Sequence, residues 1–231
     1  MKKIRYLNFS MDFPLRPYEV SKLRGAMLNA MEDAPDLFHQ HTDTGVIYRY
    51  PLIQYKVIRG KPTIVCLEGG ADIIHHFFQN RKKPLKINGK SYQPEIEKIY
   101  LKYHLLQVWD RDLYFAINNW LPFNQENHKE YLELTSLVER TEFLERILRN
   151  HIVQFAHELE WDIEREIKVR IRKVYPPKSV TYKGMHYESY KLDFYTNVSL
   201  PDYVGLGKAA STGFGVVWGK RDADRTVSYG N

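Results

Sequence analysis

The stretch Val46–Leu67, VIYRYPLIQYKVIRGKPTIVCL, decides the fold of this chain. Its first part, Val46–Ile58, is dense in Tyr, Ile and Val, residues that favour β-strands. Arg59-Gly60-Lys61-Pro62 then predicts a hairpin turn, and Thr63–Leu67 predicts the strand that returns from it. The stretch therefore predicts two neighbouring antiparallel strands.

A helix and a strand are predicted on each side of this hairpin. The apolar residues of the first helix recur at helical spacing, and Pro35 ends it. The elements are a strand at 2–10, a helix at 18–31, a short helix from Gly69-Gly70 to Asn80, a polar basic loop at 81–90 and a strand at 96–106. The order β-α-β-β-α-β is the ferredoxin-like pattern.

The second half predicts the same order in outline. Asp110-Arg111-Asp112 predicts a joint, and the cleanest alternation of the chain follows at 166–174, with Ile167, Val169 and Ile171 opposite Lys168, Arg170 and Arg172. The other elements are a strand at 113–121, a long amphipathic helix at 133–159, one or two strands at 181–198, a glycine-rich loop at 205–215 and a strand at 216–219. We therefore expect an α+β protein with two tandem ferredoxin-like domains, at 1–109 and 110–221, and a tail at 222–231.

Composition and charge limit the classes of function. The chain has 231 residues with a formal charge of +6, and 14% of them are aromatic. Residues 126–164 hold 4 basic and 10 acidic groups, whereas residues 165–191 hold 8 and 2. A basic, aromatic surface suits contact with phosphates and stacking on bases, although solvated surface charges would give the same composition.

Several classes of protein are not expected. A single cysteine, Cys66, argues against a disulfide framework and a cysteine-rich zinc site. No apolar run approaches the ~20 residues of a membrane span, and the N-terminus lacks the apolar segment of a secretory signal. We therefore expect a soluble cytoplasmic protein without a cofactor, a metal or a membrane partner.

The most distinctive motif is the segment Val204–Trp218, VGLGKAASTGFGVVW. It is neither a P-loop nor a dinucleotide-binding fingerprint, because a β-branched and aromatic run follows it. It resembles the glycine-rich loop of the RAMP superfamily, whose domains are RRM-like. Within that superfamily it is most similar to the CRISPR-associated endoribonucleases that cleave repeat RNA, the Cas-six family. Leu23–Ala30 (LRGAMLNA), His39 and Tyr50–Lys56 (YPLIQYK) extend the resemblance over most of the chain.

The resemblance implies a metal-independent reaction on CRISPR repeat RNA. The ribose 2′-hydroxyl attacks the adjacent phosphate, which gives a guide crRNA with 2′,3′-cyclic phosphate or 3′-phosphate ends and a 5′-hydroxyl. Expected partners are repeat RNA, crRNA and other Cas proteins of an effector complex, with the chain as a monomer or a homodimer. The alternatives are a non-catalytic RNA-binding subunit of such a complex and, more weakly, a general single-strand binder.

The candidate catalytic residues are two histidines and two cations. Histidine suits proton transfer near neutral pH, and a Lys or Arg suits the charge that develops on the phosphate. His39 matches the position of the family histidine, with His41 as its competitor; a metal pair and two solvated loop histidines are the other readings. The lysine that some members carry shortly after the histidine has no counterpart before Arg49. The charge is therefore expected from Arg49 or Lys56, or from a different cation that bound RNA orders.

RNA-binding residues are expected on a strand and in the glycine-rich loop. The strand face carries alternating cations, and the backbone N–H groups of the loop suit phosphates. The candidates are Lys168, Arg170, Arg172, Lys173, Lys183, Gly205, Gly207, Lys208, Ser211, Gly213 and Gly215. The acidic helix at 133–159 is expected to face solvent or a protein partner.

Overall fold

A computed structural model describes residues 1–30, 50–80 and 83–221, and the backbone of 41–42 and 45–46. The chain divides into two units. The N-terminal unit comprises residues 3–105 and 209–213, and the C-terminal unit comprises residues 1–2, 106–208 and those from Phe214 onward.

The N-terminal unit is a ferredoxin-like domain. Its strands run in the order β4-β5-β1-β8, with β5 antiparallel to both of its neighbours. Its elements are β1 (Lys2–Met11), a 3-10 helix (Pro17–Glu19), α1 (Val20–Asn29), β2 (His41–Thr42), β3 (Gly45–Val46), β4 (Ile53–Ile58), β5 (Lys61–Leu67), α2 (Gly70–Asn80), β6 (Leu85–Ile87), β7 (Lys90–Tyr92) and β8 (Ile96–Leu106). Leaving out the two short hairpins, β2–β3 and β6–β7, the order is the predicted β-α-β-β-α-β.

The core of this unit forms where the helices cover one face of the sheet. Phe9, Met11 and Ile64 from the strands lie with Leu23 and Met27 of α1, and all are at most 1% exposed. Burying an aliphatic or aromatic side chain of this size contributes about 1.5–3 kcal/mol. The outer edge of β4, the edge strand of this sheet, pairs with a further segment described below.

The C-terminal unit has the same strand order. Its elements are β9 (Val108–Trp120), α3 (Gln125–Glu133), α4 (Leu137–Glu158), β10 (Val169–Val174), β11 (Lys178–Tyr182), β12 (Met185–Val198) and β13 (Val216–Gly219). The sheet runs β10-β12-β9-β13, and β11 pairs with the outer part of β12. A glycine-rich loop, not a helix, connects β12 to β13, as the sequence predicts.

Two predictions about local structure are wrong, and one predicted helix starts later than expected. The helix predicted at 133–159 exists as α4, but it begins at Leu137, because Ser136 caps it in a capping box with Glu139. The loop predicted at 81–90 contains the β6–β7 hairpin, whose Asn88-Gly89 turn has positive φ at both residues. Asp110–Asp112 is not a joint, because these residues lie inside β9.

Candidate functional site

The predicted catalytic histidines lie largely outside the described residues. His39 and Arg49 are not described at all, and His41 is described only by its backbone, which pairs with Val46 in the β2–β3 hairpin. Their roles therefore stay predictions.

Lys56 is the one catalytic candidate whose side chain is described, and it is fully buried. It lies on β4, and its Nζ donates to the carbonyl oxygen of Ala210 at 2.6 Å. Burial disfavours the charged form and lowers the pKa of Lys56 to about 7. An ammonium in this position holds the backbone at Ala210 and does not face a solvent-accessible phosphate.

The segment Ala209–Gly213 extends the exposed edge of β4. The Tyr55 N–H donates to the Ser211 carbonyl oxygen at 2.8 Å, and Tyr55 forms a parallel bridge with Thr212. Gly213 has φ +90 and lies against Val20 of α1. Ser211 therefore contributes its carbonyl to the edge of the sheet, and Lys56 fixes the same segment through Ala210.

The remaining part of the glycine-rich loop is held tightly within the C-terminal unit. The Leu206 N–H donates to Gly215 O, and the Gly215 N–H donates to Asn119 O, both at 2.9 Å. Gly205 forms a bridge with Val216. The N–H groups of Leu206 and Gly215 are thus engaged within the protein and are not offered to a phosphate.

Two glycines of the loop are required by their surroundings. Gly207 has φ +81, and a Cβ there would lie 2.9 Å from Trp120 Nε1 and from the His151 ring. Gly215 has φ +61, and a Cβ there would overlap the carbonyl oxygen of Leu206. Both positions combine a left-handed backbone with a close approach, which other residues do not tolerate.

A buried histidine lies under the loop. Trp120 Nε1 donates to His151 Nδ1 at 3.1 Å, which assigns the proton of neutral His151 to Nε2. Burial lowers the pKa of His151 to about 4, so the ring is neutral at pH 7. His151 supports the loop at Gly207 and is not poised for proton transfer near neutral pH.

Two predicted lysines meet aromatic side chains beside the loop. Lys208 Nζ donates to the Tyr187 hydroxyl at 3.0 Å and lies 4.3 Å from the centre of its ring. Lys183, in the β11–β12 turn, lies 5.7 Å from the Tyr182 ring, and Tyr182 packs edge-on against Phe214 at 5.4 Å. The loop and the β11–β12 hairpin therefore present cations and aromatic rings together.

The predicted strand face lies on β10 and on Lys168, the residue directly before it. Lys168, Arg170 and Arg172 are all exposed, whereas Ile167 and Val169 are buried, as the alternation predicts. A bulge between Ile171 and Lys173 brings Lys173 onto the same side as Arg170. Four of the predicted RNA-binding residues thus share one surface.

Sequence reasoning missed the partners of these cations. Tyr195 lies opposite Arg170 on β12, Tyr114 lies opposite Tyr195 on β9, and Lys220 follows β13 beside Tyr114. Alternation of polar and apolar residues on β12 could have indicated this face, with Lys191, Asp193 and Tyr195 on one side and Leu192 and Phe194 on the other. What the sequence does not give is the register that aligns the three strands.

No helix of the described residues is long and apolar enough to cross a membrane.

Comparison with protein families matches both halves of the chain. A model of the Cas6b N-terminal domain matches residues 2–104, and a model of the Cas6b C-terminal domain matches residues 107–219. Among curated proteins, an uncharacterised protein of Methanocaldococcus jannaschii is 33% identical over 104 residues, which are 45% of this chain and 69% of that protein.

Solved structures share the whole architecture. A crystal structure of Cas6b aligns with a TM-score of 0.83 and 26% identity, covering 95% of this chain and 100% of the other. A second, described as the CRISPR RNA processing endoribonuclease Cas6b, aligns with a TM-score of 0.73 and 24% identity over the same shares of the two chains. The two tandem ferredoxin-like domains are therefore confirmed as the fold.

Proposed function

Because this chain belongs to the Cas6b family, we propose that it is a CRISPR RNA-processing endoribonuclease that cleaves repeat transcripts into guide RNAs. The observation that carries the proposal is that both halves of the chain match the two domains of the family. The basic, aromatic surfaces of the C-terminal unit support RNA as the substrate.

The proposed reaction is an internal transesterification. The 2′-oxygen forms a bond to the adjacent phosphorus, and the bond from phosphorus to the 5′-oxygen breaks. A base takes the proton of the 2′-hydroxyl, and an acid gives a proton to the departing 5′-oxygen. The products are a 5′-hydroxyl and a 2′,3′-cyclic phosphate, which a water molecule can hydrolyse to a 3′-phosphate and a 2′-hydroxyl.

His39 is proposed as the proton-transfer residue, with His41 as its competitor. Arg49 is the proposed source of positive charge at the phosphate, because the ammonium of the alternative cation, Lys56, is buried against Ala210. Lys56 then has a positioning role, since it holds the segment that includes Ser211.

Binding of the RNA backbone is proposed for two surfaces of the C-terminal unit. One is the β10 face with Lys168, Arg170, Arg172 and Lys173; the other is Lys183 and Lys208 beside the loop. Because internal hydrogen bonds occupy N–H groups of the loop, the lysine ammonium groups rather than its backbone are the proposed phosphate contacts there.

A modified substrate tests the reaction. A repeat RNA with a single 2′-deoxy sugar on the 5′ side of the scissile phosphate should bind normally and stay intact, and excess EDTA should not slow cleavage of the unmodified RNA. Cleavage of the deoxy RNA would identify water as the nucleophile and overturn the mechanism.

A pair of variants tests the proton-transfer residue. In single-turnover cleavage at saturating enzyme, His39→Ala should lose about 10²–10⁴-fold in rate, and His41→Ala less than about tenfold. RNA affinity should change little in both. Loss of activity in His41→Ala alone would move the site by two residues, and full activity of both variants would rule out the histidine mechanism.

A further inference from the structure

The outer face of the C-terminal sheet carries a continuous row of aromatic rings and cations. Arg170, Tyr195, Tyr114 and Lys220 lie side by side across the four strands, and we call them the tyrosine row. The two tyrosine rings stack with centroids 4.8 Å apart and planes inclined by 23°. Arg170 lies 4.8 Å from the Tyr195 ring centre, and Lys220 lies 4.9 Å from that of Tyr114.

A buried carboxylate holds one end of the row in place. Asp193 is 4% exposed, and its Oδ2 accepts hydrogen bonds from Lys220 Nζ at 2.8 Å, Tyr175 Oη at 3.0 Å and Tyr114 Oη at 3.4 Å. Burial alone would raise the pKa of Asp193, but the hydrogen bonds from Lys220 and the tyrosines outweigh it and hold that pKa below its usual value. Asp193 is therefore ionised at neutral pH, and its hydrogen bonds hold the side chains of Tyr114 and Lys220 in position.

The other end of the row can open. The side chain of Arg170 is 67% exposed, and its ion pair with Asp112 at 3.3 Å is a surface pair of small energetic value. A flat guanidinium over a ring marks a place where another flat group fits. If Arg170 turns outward, a planar base can occupy its position over Tyr195, and the displaced guanidinium reaches the neighbouring phosphate.

The strands that carry the tyrosines favour RNA as the occupant. Tyr114 lies on the first strand of its ferredoxin-like unit and Tyr195 on the third, and both are central in the sheet. Aromatic residues on the sheet of an RRM, a domain with this strand order, stack successive bases. The cations on this face outnumber the carboxylates, which are Asp110, Asp112 and Asp193. The cations are Arg170, Arg172, Lys173, Lys191 and Lys220. The net positive charge of these described residues therefore attracts a polyanion such as RNA.

We infer that the tyrosine row binds unpaired bases of RNA, with one base stacked on Tyr195 in place of Arg170. This site contacts single-stranded nucleotides of the substrate and does not include the histidines that carry the proposed cleavage. The inference rests on the proposed function only for the identity of the natural RNA.

Binding to two matched probes tests the inference. The first is an eight-nucleotide oligoadenylate, and the second is an oligomer of the same length and phosphate number whose sugars carry no bases. Tyr195→Leu should weaken binding to the oligoadenylate by about 5- to 150-fold, the loss that follows removal of a stacking partner for one base. Its affinity for the abasic oligomer should stay unchanged. Tyr195→Trp should retain binding to the oligoadenylate.

The matched control is Tyr100→Leu, which removes a tyrosine that is 60% exposed on β8. It should leave both affinities unchanged. Equal weakening of both probes by Tyr195→Leu would show a structural effect and overturn the inference. Unchanged oligoadenylate binding would also overturn it and leave the face to solvent or a protein. Because no cleavage is measured, a wild-type protein that fails to cut repeat RNA contradicts the proposed function and not this site.

Discussion

Gly215→Ala should destabilise the C-terminal unit far more than an ordinary change at a glycine with positive φ. Placing alanine at φ +61 costs roughly 1 kcal/mol or more. In addition, the new Cβ would overlap the Leu206 carbonyl oxygen, a backbone atom that cannot rotate away. The loop must then shift and lose two hydrogen bonds, Leu206 N–H to Gly215 O and Gly215 N–H to Asn119 O, each worth about 1 kcal/mol. The expected loss in the free energy of unfolding is about 3 kcal/mol.

Gly184→Ala is the matched control. Gly184 has φ +76 in the β11–β12 turn, and a Cβ there would meet no atom within 4 Å. Its expected loss is therefore only the conformational cost of about 1 kcal/mol. The difference between the two variants measures the contribution of the close approach.

Tryptophan fluorescence is the suitable readout in urea. All four tryptophans of the chain, at positions 109, 120, 161 and 218, belong to the C-terminal unit, so the emission follows the unfolding of that unit. An equal loss in the free energy of unfolding for Gly215→Ala and Gly184→Ala would refute the reasoning, because it would show that the loop accommodates the new Cβ without losing stability.

Three further outcomes follow from buried or exposed basic side chains. The pKa of Lys56 is about 7 in the folded protein and 10.5 ordinarily, so the unfolded chain binds more protons between these two pH values. The free energy of unfolding should therefore rise with pH in this range by up to ~1.4 kcal/mol per pH unit. Urea unfolding followed by circular dichroism should show this rise in the wild-type protein and not in Lys56→Met. The pKa of His151 is about 4 in the folded protein and 6.5 ordinarily, so the free energy of unfolding should fall as the pH drops from 6.5 to 4. The variant His151→Gln keeps an acceptor for Trp120 and should lose this pH dependence in the fluorescence assay. Replacing Lys168 and Arg172 with Gln should reduce the salt slope of single-stranded RNA binding by about 0.7 per lost contact; Arg149→Gln on α4 is the control, and an unchanged slope in the double variant would leave these cations to solvent.

The fold was predictable because its signals are local. Alternation at 166–174 and helical spacing at 18–31 depend on neighbours in the chain, and both predicted elements exist. The start of α4, four residues later than predicted, shows where apolar spacing alone fails. Leu137 fits the apolar spacing of a long helix, yet it is 78% exposed, because it follows the Ser136 cap instead of packing on the sheet.

The candidate site was less predictable because its contacts join distant positions. Lys56 and Ala210 are 154 residues apart, and a lysine on a β-strand with apolar neighbours gives no sign that its ammonium is buried. Tyr114 and Tyr195 meet only through the register of β9 and β12. The histidine prediction rested on resemblance, and its outcome depends on the kinetic test proposed above.

The attachment of Ala209–Gly213 to β4 has a consequence for the order in which the protein matures during translation. The N-terminal unit reaches its complete set of contacts only after residue 213 has left the ribosome, although most of its sequence is made first. Until then the edge of β4 keeps unpaired backbone groups, which can recruit strands of other chains, and Lys56 lacks the Ala210 carbonyl. A chain whose synthesis stops between the two halves therefore leaves this edge open to pairing with strands of other chains.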